Sequence, residues 1–279
     1  MLTPTPYTTE EIELVYNQLV GAYREGEKYI LERLLAADLS AWERARANQQ
    51  LGLIQAALQE LGQVTQDWEG IHLPRLYAAG IAGVDRALEA APVQAPAAEF
   101  AALHTASIEL VAENLSLGLE GARQLVGRRI TDVFRRAGLA ALQQGTALGE
   151  TRRQASKRMI KQLADKGVTA FVDARGAEWN LSTYAEMHIR TSSMEATNLA
   201  TYNRLAEYDL DMVKVPRHDG ECPKCKDALD SLGTIFSISG TSEQYPAEDE
   251  ARAMGLYHPE CLHRPQPYVP GWSDIGEAA

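Results

Sequence analysis

Apolar residues return every three or four positions along most of the first 140 residues, and this period limits the fold more than any other feature of the chain. Ile12, Tyr16, Leu19 and Tyr23 form one stripe, resumed by Ile30, Leu31, Leu34 and Leu35, which is the mark of an amphipathic helix. Thr8 and Glu11 have the spacing of a capping box, so the first helix is predicted to start there. Gly21 and Gly26 weaken it. A second stretch carries Leu51, Ile54, Leu58 and Leu61, and helical character continues from Leu76 to Leu88.

Pro92 and Pro96, set among small residues, interrupt this pattern and predict a hinge or an interhelical turn. Helical spacing returns from Glu99 to about Gly145, with Val126, Ile130, Val133 and Ala137 on one face. A further helix is expected between Thr151 and Gly167, with Ala155, Met159 and Leu163 inward. The texture then changes. Short strands are expected at residues 168–172, 212–215 and 234–238, and Ser182 is placed to cap a helix running to about Tyr208. The expected class is mainly α: long N-terminal helices followed by a smaller α+β C-terminal module with a Cys/His cluster. In chain order the regions are 1–90, N-terminal helical; 99–175, helical with a basic face; and 176–279, the α+β Cys/His module.

Composition narrows the function. The chain has 279 residues, 45% of them hydrophobic, enough for one large domain or two modest ones. No run approaches the ~18 apolar residues of a membrane span. No basic flank leads into an apolar run at the N-terminus, so a soluble protein made in a reducing cytoplasm is expected. The net charge of −11 argues against a generally basic nucleic-acid binder. The charge is uneven, however: residues 121–176 hold twelve Lys and Arg against four Asp and Glu. Arg128, Arg129, Arg135, Arg136, Arg152, Arg153 and Lys157 are therefore candidate contacts to DNA phosphates, which are bound through charge without regard to sequence. The alternative is that they pair with the acidic remainder of the chain or with an acidic partner.

All three cysteines, and three of the six histidines, lie late in the chain. Cys222 and Cys225 are separated by two residues, a spacing that lets one turn aim two sulfurs at one ion. His258 and Cys261 repeat it after 32 intervening residues. Together they describe a tetrahedral Cys3His site for one structural zinc, with His218 and His263 as alternates. The other reading is a metal-free core of packed thiols and hydrogen-bonded imidazoles. A redox pair of cysteines usually opens a helix within a βαβ unit, and no such unit is evident here.

Catalytic patterns are weaker. The chain has no HExxH, no GxSxG and no GxxxxGK[ST]. Glu248-Asp249-Glu250, with Arg190-Thr191-Ser192 upstream, has the ExE form of a toxin-like ADP-ribosyltransferase, but the supporting Ser-Thr-Ser strand is missing. Read plainly, the triplet is a solvated loop. A non-enzyme is expected.

The run Gly176-Ala177-Glu178-Trp179-Asn180-Leu181-Ser182-Thr183-Tyr184-Ala185-Glu186-Met187-His188-Ile189-Arg190-Thr191 resembles the central signature of the phage minor capsid protein 2 family, which is related to the Mu F-like head morphogenesis proteins. His218 followed by Cys222 and Cys225, the stretch 233–237, the stretch 257–263 and Pro267-Tyr268 match further family elements, so the likeness is specific over about 120–272. This chain departs from the common pattern at Ala177 and Leu262, where relatives carry arginine. The resemblance implies a low-copy structural virion component inside the head near the portal, aiding head assembly or genome packaging and ejection. It also implies portal and capsid or scaffold proteins as partners, with packaged double-stranded DNA as a further one. Its place would be the virion, after assembly in the host cytoplasm.

Overall fold

In a computed structural model, residues 4–37, 44–94, 96, 102–144, 154, 158, 161, 167, 169–173 and 175–273 are described, without the side chains of 44, 46 and 136–144. The described residues form six helices and five short strands: α1 (Thr9–Ala36), α2 (Arg44–Leu88), α3 (Ala102–Gln144), β1 (Ala170–Val172), β2 (Glu178–Asn180), α4 (Leu181–Glu207), β3 (Met212–Lys214), α5 (Pro223–Leu232), β4 (Ile235–Ser237), α6 (Glu248–Met254) and β5 (Gln266–Pro267). The chain is mainly helical, as its apolar spacing implies. The expected helix at 151–167 lies outside the described residues, apart from helical backbone at Gln154, Arg158 and Lys161.

Local chemistry explains the helix starts. The Thr8 N–H donates to Glu11 Oε2 at 2.8 Å and the Glu11 N–H to Thr8 Oγ1 at 3.3 Å, the reciprocal bonds of the expected capping box. Ser182 does not act as the expected cap, because α4 already begins at Leu181. The Ser182 N–H is instead satisfied by the Glu27 carboxylate at 3.2 Å, a cap supplied from 155 residues away that local sequence does not reveal. α2 is one helix of 45 residues, although Pro74 lies inside it and supplies no N–H. Its buried residues, Leu73, Leu76, Tyr77, Val84 and Leu88, continue the helical spacing past the proline, and their burial outweighs the local penalty.

Two compact units are assembled from separated stretches. Tyr16–Trp68 and Leu115–Ile189 make the hairpin unit; Met1–Val15, Glu69–Asn114 and Arg190–Ala279 make the sheet unit. The regions 1–90, 99–175 and 176–279 follow the order of elements along the chain, whereas each compact unit combines segments far apart in sequence.

In the hairpin unit, Leu19, Tyr23, Ile30 and Leu34 of α1 are buried, as are Ile54 and Leu61 of α2 and Leu119, Val126 and Ile130 of α3. Each such side chain contributes about 1.5–3 kcal/mol when removed from water. α1 passes through Gly26 unbroken, and a Cβ there would meet Leu61 Cδ1 at 2.9 Å, so the glycine allows α1 and α2 to close on each other. β1 and β2 form an antiparallel hairpin with Phe171 opposite Trp179. Asp173 ties its tip by accepting from the N–H groups of Arg175 and Ala177, each at 2.9 Å, and from Trp179 Nε1 at 3.0 Å. Those donors, the Ala177 amide first, hold its carboxyl below the usual range.

In the sheet unit, the strand order is β4-β3-β5, antiparallel throughout, with Val213 opposite both Phe236 and Pro267. Val213, Val215, Leu229, Phe236, Ala251 and Leu256 enclose a core that also contains Cys225 and Cys261. The expected strands at 212–215 and 234–238 are β3 and β4. α5 connects two antiparallel neighbours, so there is no βαβ crossover here. α2 crosses α4 closely: a Cβ on Gly80 would lie 2.6 Å from the Thr197 carbonyl oxygen.

Candidate metal centre

The centre lies in the sheet unit. Cys222 is the N-cap of α5, held extended at φ −70° and ψ 154°, with Pro223 opening the helix. Its Sγ accepts from the Cys225 N–H at 3.4 Å. One turn of helix then aims Cys225 into the core, where it is fully buried. The second pair comes from the turn that follows α6. Tyr257 at φ 61° and Glu260 at φ 64° both adopt left-handed backbone, at a cost of about 1–2 kcal/mol each. The turn is held by the Cys261 N–H donating to the His258 carbonyl at 2.9 Å and by the Glu260 N–H donating to Thr191 Oγ1 at 3.3 Å. The result is that His258 and Cys261 face Cys222 and Cys225.

Cys222 Sγ lies 2.9 Å from His258 Nε2, and Cys225 Sγ lies 3.6 Å from Cys261 Sγ. Cys261 Sγ is also 3.4 Å from His263 Nδ1. The donors form two triads, Cys222–Cys225–His258 and Cys225–Cys261–His263, within each of which the ligand atoms lie within 4.8 Å of one another. All four residues of the predicted set, and the alternate His263, are thus positioned to bind a metal. The remaining alternate, His218, packs its ring on His263 with centroids 4.4 Å apart.

Hydrogen bonds fix which ring nitrogens are free. His258 Nδ1 lies 2.6 Å from the Pro259 carbonyl, which can only accept, so in the neutral ring Nε2 presents its lone pair to Cys222. His263 Nε2 faces the Glu221 carboxylate at 3.4 Å, which leaves Nδ1 for Cys261. An imidazole braced by a carboxylate is the usual support of a metal ligand. His218 Nδ1 lies 3.0 Å from the Asp219 carbonyl, and its Nε2 is buried with no partner among the described residues. These donors fit a thiophilic ion such as zinc.

The electrostatics set the two thiols of the first pair apart. Burial tends to raise the Cys222 thiol, but the Cys225 amide and thiol and His258 outweigh it, so Cys222 sits below the ordinary thiol range. Burial first, then the neighbouring thiols of Cys222 and Cys261, push Cys225 well up. Burial lowers His263 despite the Glu221 carboxylate, which favours the neutral imidazole that ligation requires. Glu221 itself stays below the carboxylate range, because His263, the His218 amide and Arg217 outweigh its desolvation.

Two carboxylates have roles that their place in the sequence does not display. Glu221 precedes Cys222 directly, so an acidic residue beside a thiol pair was the available signal. Glu248 is buried rather than solvated, a correction to the plain reading of its triplet, while Asp249 and Glu250 are exposed. Its Oε1 accepts from the hydroxyls of Tyr202 at 2.7 Å and Tyr257 at 3.0 Å, and Arg252 lies 3.3 Å from Oε2. Glu248 lines a cavity of about 480 Å³ with Glu195, Arg252 and His258; Arg190 and Glu250 do not line it.

Of the basic candidates, Arg128, Arg129 and Arg135 fall in the hairpin unit. Arg129 donates to the Ala170 carbonyl at 2.6 Å, fastening β1 to α3. Arg128 and Arg135 are exposed along one groove on α3, where Arg135 lies 3.8 Å from Asp132. The side chain of Arg136, and Arg152, Arg153 and Lys157 entirely, lie outside the described residues.

Among the described residues no helix is long and apolar enough to cross a membrane. No curated protein and no solved structure matches the chain. The family model described as phage minor capsid protein 2 matches residues 7–279, so the match takes in the N-terminal helices as well as the Cys/His centre. The chain therefore belongs to the phage minor capsid protein 2 family.

Proposed function

We propose that the protein is a low-copy structural component of the phage head, situated inside it near the portal and acting in head assembly or in genome packaging and ejection. The observation that carries this reading is the family match over residues 7–279. Membership implies a place in the virion and contact with other head proteins; the portal and the capsid or scaffold proteins are the partners we assign. The role is structural rather than enzymatic. The buried carboxylate of Glu248 supports this, since two tyrosine hydroxyls and Arg252 already engage it.

In this reading Cys222, Cys225, His258 and Cys261 hold one structural zinc that locks α5 to the turn after α6. The sheet unit thereby becomes a rigid platform for protein contacts. Closing 32 residues between two ligand pairs stabilises the unit, because the ion binds the folded arrangement far better than the open chain. Replacing Cys225 with Ser is expected to remove the zinc, lower the thermal midpoint by about 5 °C or more and reduce incorporation into heads. Metal analysis, calorimetry and quantification of the protein in purified heads test this together. Unchanged stability and incorporation in that variant would sink the proposed role.

Contact with packaged DNA is a second element of the proposal, supported by the exposed pair Arg128 and Arg135 two helical turns apart on α3. Arg136, Arg152, Arg153 and Lys157 belong to the same basic segment. Binding of this kind weakens steeply with salt and ignores sequence.

A further inference from the structure

The candidate donors fall into two triads, and the residue common to both is Cys225; His218 belongs to neither. The third thiol of the Cys3His set, Cys261, stands with His263 in the second triad, 3.6 Å from Cys225. That sulfur–sulfur separation matches the edge of a zinc tetrahedron, about 3.8 Å for Zn–S bonds of about 2.3 Å, and such an edge can be shared by two ions.

Resting on the reading that Cys222, Cys225, His258 and Cys261 hold a first ion, we propose that the centre binds a second thiophilic divalent ion, with the Cys225 and Cys261 thiolates bridging the two and His263 and His218 completing the second tetrahedron. Six donors then fill eight coordination positions, two of them counted twice.

Three observations bear on the second half. His263 turns Nδ1 toward Cys261 and has its far nitrogen braced by Glu221, the support that a metal-ligating imidazole commonly has. His218, its ring tilted against that of His263, holds a buried Nε2 with no partner among the described residues, an expensive state for a polar atom that a ligand would relieve. Charge also balances. Two divalent ions match the three thiolates and the Glu221 carboxylate, while Arg217, 3.1 Å from Glu221, has a carboxylate of its own in Asp230 at 2.6 Å.

Native mass spectrometry of the full chain purified with zinc tests the proposal, supported by ¹¹³Cd resonances of the cadmium-substituted protein. The expected result is two ions in the parent protein and two cadmium signals. His263→Ala and His218→Ala are each expected to fall to one ion and one signal. His218 is only partly buried, so its variant keeps the test open should His263→Ala fail to fold. One ion in the parent overturns the second site and leaves the Cys3His reading standing. No ion overturns both readings. Two ions retained in both variants overturn the assignment of His263 and His218.

Discussion

His188 shows what a single buried residue does for the stability of this protein. Its ring packs on Tyr184, with centroids 4.5 Å apart, and against Gly118, where a Cβ would come within 2.6 Å of Cε1. Burial lowers its pKa from the ordinary 6.5, so the folded protein holds it neutral. Between that value and the lower folded one, the unfolded chain binds the extra proton, and stability must therefore rise with pH. The contribution is complete above pH 6.5 and is lost as pH falls below it. Denaturant unfolding at pH 7.5 and 5.5 is expected to show a smaller acid loss in His188→Gln than in the parent; equal losses would refute the assignment. At this scale the sequence was readable where chemistry is rare. Cys222, Cys225, His258 and Cys261 announce themselves because few residue types bind soft ions and their spacing repeats. Glu221 and Glu248 do not, since a carboxylate that braces a ring or joins buried tyrosines looks, in sequence, like one in solvent.

Helices were legible wherever one face is buried along their length, as in α1 with its capping box and its Leu19, Tyr23 and Ile30 stripe. What local sequence could not carry was the partner across the contact. Glu27 caps α4 from 155 residues away, and α2 continues through Pro74 because the residues beyond it remain buried. Glycine gives the sharpest test at this scale. Gly80 and Gly83 both lie in α2, where alanine is preferred to glycine by about 0.8–1 kcal/mol. At Gly83 an added Cβ meets nothing within 4 Å, so Gly83→Ala should stabilise by roughly that amount. At Gly80 it would meet the Thr197 carbonyl oxygen at 2.6 Å and the Ala200 methyl at 2.7 Å. Gly80→Ala should therefore destabilise, by about 1–3 kcal/mol. Thermal melts of the two variants check both signs, and a Gly80→Ala protein as stable as its parent would mean that α2 and α4 are not in this contact.

For the whole molecule, the order of the chain and the composition of its compact units differ. A reader of the sequence sees successive regions; the sheet unit combines Met1–Val15, Glu69–Asn114 and Arg190–Ala279. Only long-range packing decides that grouping, and no local period encodes it. A metal held in the sheet unit would stabilise that region alone. Chelation should speed amide exchange across β3, α5, β4 and α6, whose core includes Cys225 and Cys261, while the β1–β2 hairpin keeps its protection. Hydrogen-exchange mass spectrometry with and without chelator reads this directly, and uniform loosening of both regions would contradict it. The separation of the ligand pairs also has a consequence in time. His258 is made 36 residues after its neighbour Cys222, a delay of roughly 2–7 s at ordinary translation rates. During that interval the Cys222 and Cys225 thiols of a nascent chain lack the second ligand pair and are open to oxidants and to competing soft ions. In the metal reading, a soft ion that reaches these thiols early is held by two ligands alone until His258 and Cys261 complete the set.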